Sequence, residues 1–116
     1  MITISLVRNR QGHIARFTVS GHAYYDDPGK DIVCAGVSAV TQGTVNAIEK
    51  LTGLVPDAEV SEKDGLLKVA TPSGGDEARN AQVQLLLEGM VVSLESIAEA
   101  YGKYVKIKQT FSEKGG

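Results

Sequence analysis

The apolar residues of this chain change their spacing repeatedly along its length, and those changes dictate a mixed fold. Ile2, Ile4 and Leu6 alternate with Thr3 and Ser5, the period of a strand over about 1–8. Arg8-Asn9-Arg10-Gln11-Gly12 reads as a hairpin turn, followed by a second strand over about 13–20 with Ala15, Phe17 and Val19 inward and Arg16 and Thr18 outward. From residue 32 the period lengthens. Val33, Val37, Val40, Thr44, Ile48 and Leu51 recur at helical spacing, and Gly53 terminates the run. Strands over about 55–61 and 66–71 follow, joined through Glu62-Lys63-Asp64-Gly65. A second helix over about 76–101 carries the stripe Val83, Leu87, Met90, Leu94, Ile97 and Tyr101, with Gly102 as its stop. A last strand over about 104–110 points Val105 and Ile107 inward and Lys106 and Lys108 outward. The order strand-strand-helix-strand-strand-helix-strand predicts an α/β two-layer sandwich: a mixed sheet of about five strands with both helices on one face, forming a single domain over 1–116. The other face is then solvated or covered by a partner, and a homodimer is expected.

Composition narrows the function. Twelve basic and fourteen acidic residues give a formal net charge of −2, which is not the footprint of a general nucleic-acid binder, and no direct DNA partner is expected. Four Tyr, two Phe and no Trp leave few stacking platforms for single strands. No apolar run approaches the ~20 residues of a membrane span, and the alternating N-terminus is not a signal peptide. The single cysteine cannot close an internal disulfide, which fits a reducing cytoplasm and makes Cys34 either a buried filler or a reagent.

Between the second strand and the first helix the pattern breaks. Gly21-His22-Ala23-Tyr24-Tyr25-Asp26-Asp27-Pro28-Gly29-Lys30-Asp31 has no period, and loops of this length are often functional. Asp31 stands where a helix N-cap belongs. Cys34 is then the third helical residue, beside the unpaired N–H groups of the first turn and the positive end of the helix dipole, a setting that favours the thiolate. His22, at the far end of the loop, is a candidate base, and the pair has the nucleophile-plus-base logic of acyl transfer. First-turn N–H groups would serve as oxyanion donors. Asp31 either caps the helix or orients His22. Ser38, one turn beyond Cys34, bonds the sulfur, His22 or merely a backbone carbonyl. Tyr24 and Tyr25 touch substrate or simply pack the loop.

Each of these residues also has a plain structural role open to it: a lone Cys is commonly a small buried hydrophobe. A zinc site from Cys34, His22, His13 and Asp31 has suitable ligand types but lacks paired spacing, and no cofactor is expected. Ser73-Gly74-Gly75 lacks the lysine of a P-loop. Lys103, Lys106, Lys108 and Lys114 concentrate positive charge near the C-terminus, a solvated strand face or a strip for phosphate contacts. That strip supports an alternative, a non-catalytic ribosome-assembly or RNA–protein binding module with Cys34 as core.

The string Gly21-His22-Ala23, a short polar loop, then Asp31-Ile32-Val33-Cys34-Ala35-Gly36-Val37-Ser38-Ala39-Val40 resembles the ribosomal-processing cysteine protease family. The resemblance extends to length, element order and Asn46-Ala47. It implies a two-layer α/β homodimer that removes a short N-terminal extension from large-subunit ribosomal protein twenty-seven in Firmicutes and relatives. The family's catalytic pair falls on His22 and Cys34, and its neighbouring polar positions on Asp31 and Ser38. Its mobile substrate loop falls on about 23–30, so Gly21, Tyr24, Tyr25 and Gly29 are implicated in substrate handling.

Overall fold

A computed structural model describes residues 1–27 and 30–112. Pro28, Gly29 and Lys114 lie outside the described residues. The elements run β1 (Ile2–Arg8), β2 (Ile14–Ser20), α1 (Ile32–Thr52), β3 (Asp57–Ser61), β4 (Leu66–Ala70), α2 (Glu77–Ala100) and β5 (Val105–Phe111). This is the expected order and the expected α/β class.

The sheet order is β3-β4-β2-β1-β5. β1 pairs antiparallel with β2 and parallel with β5, and β4 pairs antiparallel with both β2 and β3. Register puts the apolar residues on one face: Ile4 opposes Val19 and Ile107, Leu6 opposes Phe17, and Phe17 opposes Val69. Val33, Val37 and Ile48 of α1 and Val83, Leu87, Met90, Val91 and Leu94 of α2 complete the core above them. The opposite face carries Thr3, Ser5, Thr18, Lys68, Lys106 and Lys108 in mutual register. It is a polar, water-facing surface, as the outward lysines of the last strand required.

Several local expectations are corrected. Ala15 is not the inward residue near the start of β2. Arg16 pairs with Val7 but Ile14 pairs with Arg8, so Ala15 is the extra residue of a β-bulge and the fully buried Ile14 takes the inner face. The disrupted ladder is repaired by Gln84 of α2, whose Oε1 accepts from Ile14 N–H at 2.8 Å and whose Nε2 donates to Ile14 O at 2.9 Å. β3 begins two residues later than expected because Pro56 has no N–H to give a ladder. In α1 the buried stripe is Val33, Val37, Thr41, Ile48 and Thr52, while Leu51 is exposed. Thr41 fits inside because its hydroxyl donates to Val37 O at 2.8 Å. Gly53 caps α1 in the left-handed conformation, φ 76°. Gly102 does not do so for α2, which ends instead at Tyr101, whose carbonyl accepts from Tyr104 N–H and Val105 N–H.

By length and composition α2 is apolar enough to cross a bilayer, mean hydropathy 1.2 over its most apolar stretch, although Glu88 and Glu95 interrupt any continuous apolar run. One stripe of α2 is built into the core. Glu88, on another side, is held by Arg8 through Nη1 to Oε2 at 2.7 Å and Nη2 to Oε1 at 2.8 Å.

Candidate active site

Where β2 ends, Gly21 N–H donates to Gly65 O at 3.0 Å, extending the β2–β4 ladder by one bond. The chain then leaves the sheet. Gly21 adopts φ 88°, and a Cβ there would run into the Met1 carbonyl oxygen, so only glycine fits. His22 follows, exposed, with Tyr24 edge-on to its ring at a centroid distance of 5.9 Å. Tyr24 is the one non-glycine residue with positive φ, 56°, among the described residues, a costly conformation for a bulky side chain. Tyr25 turns back to the body of the protein, its ring edge-to-face with Tyr101 at 5.7 Å and Tyr104 at 5.2 Å.

Asp31 closes the loop. Its Oδ1 accepts from Val33 N–H and Cys34 N–H, both at 3.0 Å, which makes it the N-cap of α1. Its Oδ2 accepts from Tyr25 N–H at 3.0 Å and Asp26 N–H at 3.4 Å. Of the two roles left open by the sequence, the capping one is present, and no hydrogen bond joins Asp31 to His22 among the described residues. Burial opposes ionisation of this carboxyl. The N–H bonds from Cys34, Tyr25 and Asp26 outweigh burial and hold it below the ordinary carboxylate range.

Cys34 is half-buried at the start of α1, and its Sγ accepts from Ala23 N–H at 3.3 Å. Here the structure corrects the electrostatic expectation. Burial pushes the Cys34 thiol above its ordinary value; the Ala23 N–H pulls it down, and the Asp31 carboxylate adds to the rise. The first donors of the helix N-terminus, Val33 N–H and Cys34 N–H, are taken up by Asp31 rather than directed at the sulfur. For the same reason they are not open as oxyanion donors. Ala23 N–H is the backbone donor that faces the sulfur.

His22 and Cys34 share one cavity of about 310 Å³, though no hydrogen bond joins them among the described residues. Ile2, Val19, Val37 and Leu67 contribute apolar wall. Ser38 also lines it, exposed, as do Gln42 two turns beyond Cys34, and Ser61, Glu62 and Gly65 of the β3–β4 hairpin. Gln42 was legible as the next position on the face of Cys34 and Ser38. The hairpin was not, since its approach depends on β2–β4 pairing. His13 lines a separate hollow of about 640 Å³ with Asn80 and Gln84, so it does not join Cys34. No group of three or more His, Cys, Asp or Glu able to hold a metal occurs among the described residues.

Comparison with known proteins gives a consistent result. Residues 1–106 match the family model for cysteine protease Prp. The chain is 37% identical to the ribosomal processing cysteine protease Prp of Bacillus subtilis, covering 92% of this chain and 96% of that one. It is 36% identical to the protein of that name from Staphylococcus aureus strain Mu50, covering 92% and 97%. Its fold is similar to a crystal structure of the essential ribosomal processing protease Prp from S. aureus with a covalently linked product peptide: TM-score 0.85, 34% identity, 95% of this chain and all of that one. A second S. aureus structure, holding a substrate peptide, has a TM-score of 0.80 at 34% identity and the same coverage. With the fold, the loop and the cavity all in agreement, this chain belongs to the cysteine protease Prp family.

Proposed function

We propose that this chain is an endopeptidase with Cys34 as nucleophile and His22 as base, and that it removes the N-terminal extension of large-subunit ribosomal protein twenty-seven during ribosome maturation in the cytoplasm. The observation that carries this reading is the arrival of His22 and Cys34, from opposite ends of one loop, on the wall of one cavity. The similarity to relatives described as ribosomal processing proteases, one of them holding a covalently linked product peptide, supports the reaction and the substrate class.

In this mechanism an extended peptide enters the cavity and settles the loop. His22 takes the Cys34 proton as Sγ attacks the scissile carbonyl, forming the S–C bond of a tetrahedral intermediate. Ala23 N–H, already aimed at the sulfur, stabilises the oxyanion beside it. His22 returns the proton to the leaving amine, and water then hydrolyses the thioester. Because the resting thiol is held protonated, the free enzyme is a weak nucleophile, and peptide binding is what assembles the reactive pair. Asp31 supports this indirectly by fixing the helix start and the loop; Ser38 contributes cavity polarity.

A homodimer belongs to the same reading. Exposed apolar side chains on α2, Leu85 at 73% and Val92 at 63%, offer one apolar surface for it, which the polar sheet face does not. Sedimentation equilibrium at micromolar concentration is expected to give twice the chain mass, and a monomer would remove the dimer. The non-catalytic module with Cys34 as core is disfavoured because Cys34 faces a cavity that also holds His22.

The decisive experiment incubates the protein with ribosomal protein twenty-seven of the same organism and measures intact mass. Loss of one N-terminal fragment at a defined bond is expected, abolished by Cys34→Ala and severely slowed by His22→Ala. An unchanged mass with folded enzyme defeats the substrate assignment, and retained cleavage by Cys34→Ala defeats the nucleophile.

A further inference from the structure

The β3–β4 turn meets the loop in a way that the dyad alone does not explain. Gly65 sits in this turn at φ 59°. A Cβ built on it would stand 2.7 Å from His22 Nε2, 2.9 Å from His22 Cε1 and 3.0 Å from Gly21 O. Real Cβ atoms essentially never come within 3.0 Å of another group. The place a side chain would take is therefore filled by the edge of the imidazole. The same residue's carbonyl accepts from Gly21 N–H, which pins the backbone one residue before His22. Tyr24, edge-on at 5.9 Å, is the ring's aromatic neighbour.

We propose that Gly65 is a positioning residue for the protease reaction: its missing side chain is the seat that holds the His22 imidazole on the wall of the Cys34 cavity. The proposal rests on the reading of His22 as the catalytic base. A methyl at 65 strikes ring atoms and a backbone carbonyl. Of these only the ring can swing away, so it must leave its seat. Displacements of about 1 Å at a reacting group cost on the order of a hundredfold in rate. The loss would fall on the chemical step, because the rest of the cavity is untouched.

The left-handed φ is a second reason for glycine, and the test must separate strain from contact. Gly12 supplies the control: it has φ 83° in the β1–β2 turn, and a Cβ there meets nothing within 4 Å. Gly65→Ala, and Gly65→Asn as the L residue that best tolerates this conformation, are compared with Gly12→Ala and His22→Ala by steady-state cleavage of an extension peptide and by thermal unfolding. Both Gly65 variants are expected to lose roughly a hundredfold in kcat with KM within about threefold of wild type. Gly12→Ala should lower Tm and leave kcat unchanged. A nuclear Overhauser contact between the ring Hε1 of His22 and a Gly65 Hα is expected in the unliganded wild type and needs no variant to fold. Absence of that contact overturns the proposal, as does a Gly65→Ala enzyme with near-normal kcat when His22→Ala is dead, or an equal loss in Gly12→Ala. Full activity in His22→Ala instead sinks the base assignment, and the role of Gly65 with it.

Discussion

Asp31 holds the backbone of Tyr25: the Tyr25 N–H donates to Asp31 Oδ2 at 3.0 Å while the other carboxylate oxygen caps α1. One side chain thus ties the middle of the loop to the helix that carries Cys34. Asp31→Ala should lose the cap, about 1 kcal/mol, and the loop anchor with it. Denaturant unfolding will read the first. Faster hydrogen exchange at the amides of Tyr25, Asp26, Val33 and Cys34 will read the second, and unchanged exchange at Tyr25 would show that the loop is held by other means.

The same carboxylate gives the loop an acid limit. Its pKa is depressed in the folded state, so its contribution is fully present above the ordinary carboxylate value and fades as pH falls through the folded one. Protection of the Tyr25 and Asp26 amides should therefore persist at neutral pH and collapse only in acid. In Asp31→Asn the collapse should vanish.

Alkylation of Cys34 tests the resting state. Burial and the Asp31 charge hold the thiol up, so iodoacetamide should react more slowly at pH 7 than with an unstructured cysteine peptide, and its rate should climb at higher pH than for that peptide. Asp31→Asn, which removes the charge and keeps a capping side chain, should move the midpoint down. Rapid labelling of wild type at neutral pH would contradict the assignment of a protonated sulfur.

Tyr25 clamps the loop to the end of α2 and the start of β5. Edge-to-face pairs are worth ~0.5–1.5 kcal/mol each beyond burial, so Tyr25→Ala should lose about 1–3 kcal/mol. Tyr25→Phe should retain nearly all of it, since the ring and not the hydroxyl makes both contacts. Peptide cleavage by the Ala variant should fall with a larger change in KM than in Tm-matched controls.

Arg8 and Glu88 form a two-pronged ion pair that joins β1 to α2, with Arg8 Nε also donating to Gln109 Oε1 at 2.9 Å. Partial exposure limits its worth to about 1 kcal/mol. Glu88→Gln should show that loss in chemical denaturation and leave cleavage unaltered. A changed kcat would reveal coupling between this end of the sheet and the cavity.

Much of the architecture was legible because it rests on period. Ile2, Ile4 and Leu6 could face only one way, and the stripe through Val83, Leu87 and Leu94 could be only a helix. Asp31 and Gly53 announced the ends of α1 through local chemistry. What escaped were features decided by tertiary pairing. The bulge at Ala15 depends on Gln84, seventy residues beyond Ile14, replacing ladder bonds. Leu51 and Thr52 exchanged places because a threonine hydroxyl can satisfy itself on its own helix. In the site, His22 and Cys34 were marked by residue type and by the loop between them. The raised thiol was not visible, since it follows first from burial of the sulfur and then from the Asp31 carboxylate beside it. Gly65 read as nothing more than a turn.

The parallel pairing of β1 with β5 has a consequence for biogenesis. β1 is made first, yet one of its two edges waits for a partner about a hundred residues downstream, as the 101-residue separation of Arg8 and Gln109 illustrates. A nascent chain halted before Val105 presents that edge bare, a template for association with other chains. Closure of the five-stranded sheet is therefore a late event in synthesis, whereas every residue lining the cavity is already made by Leu67.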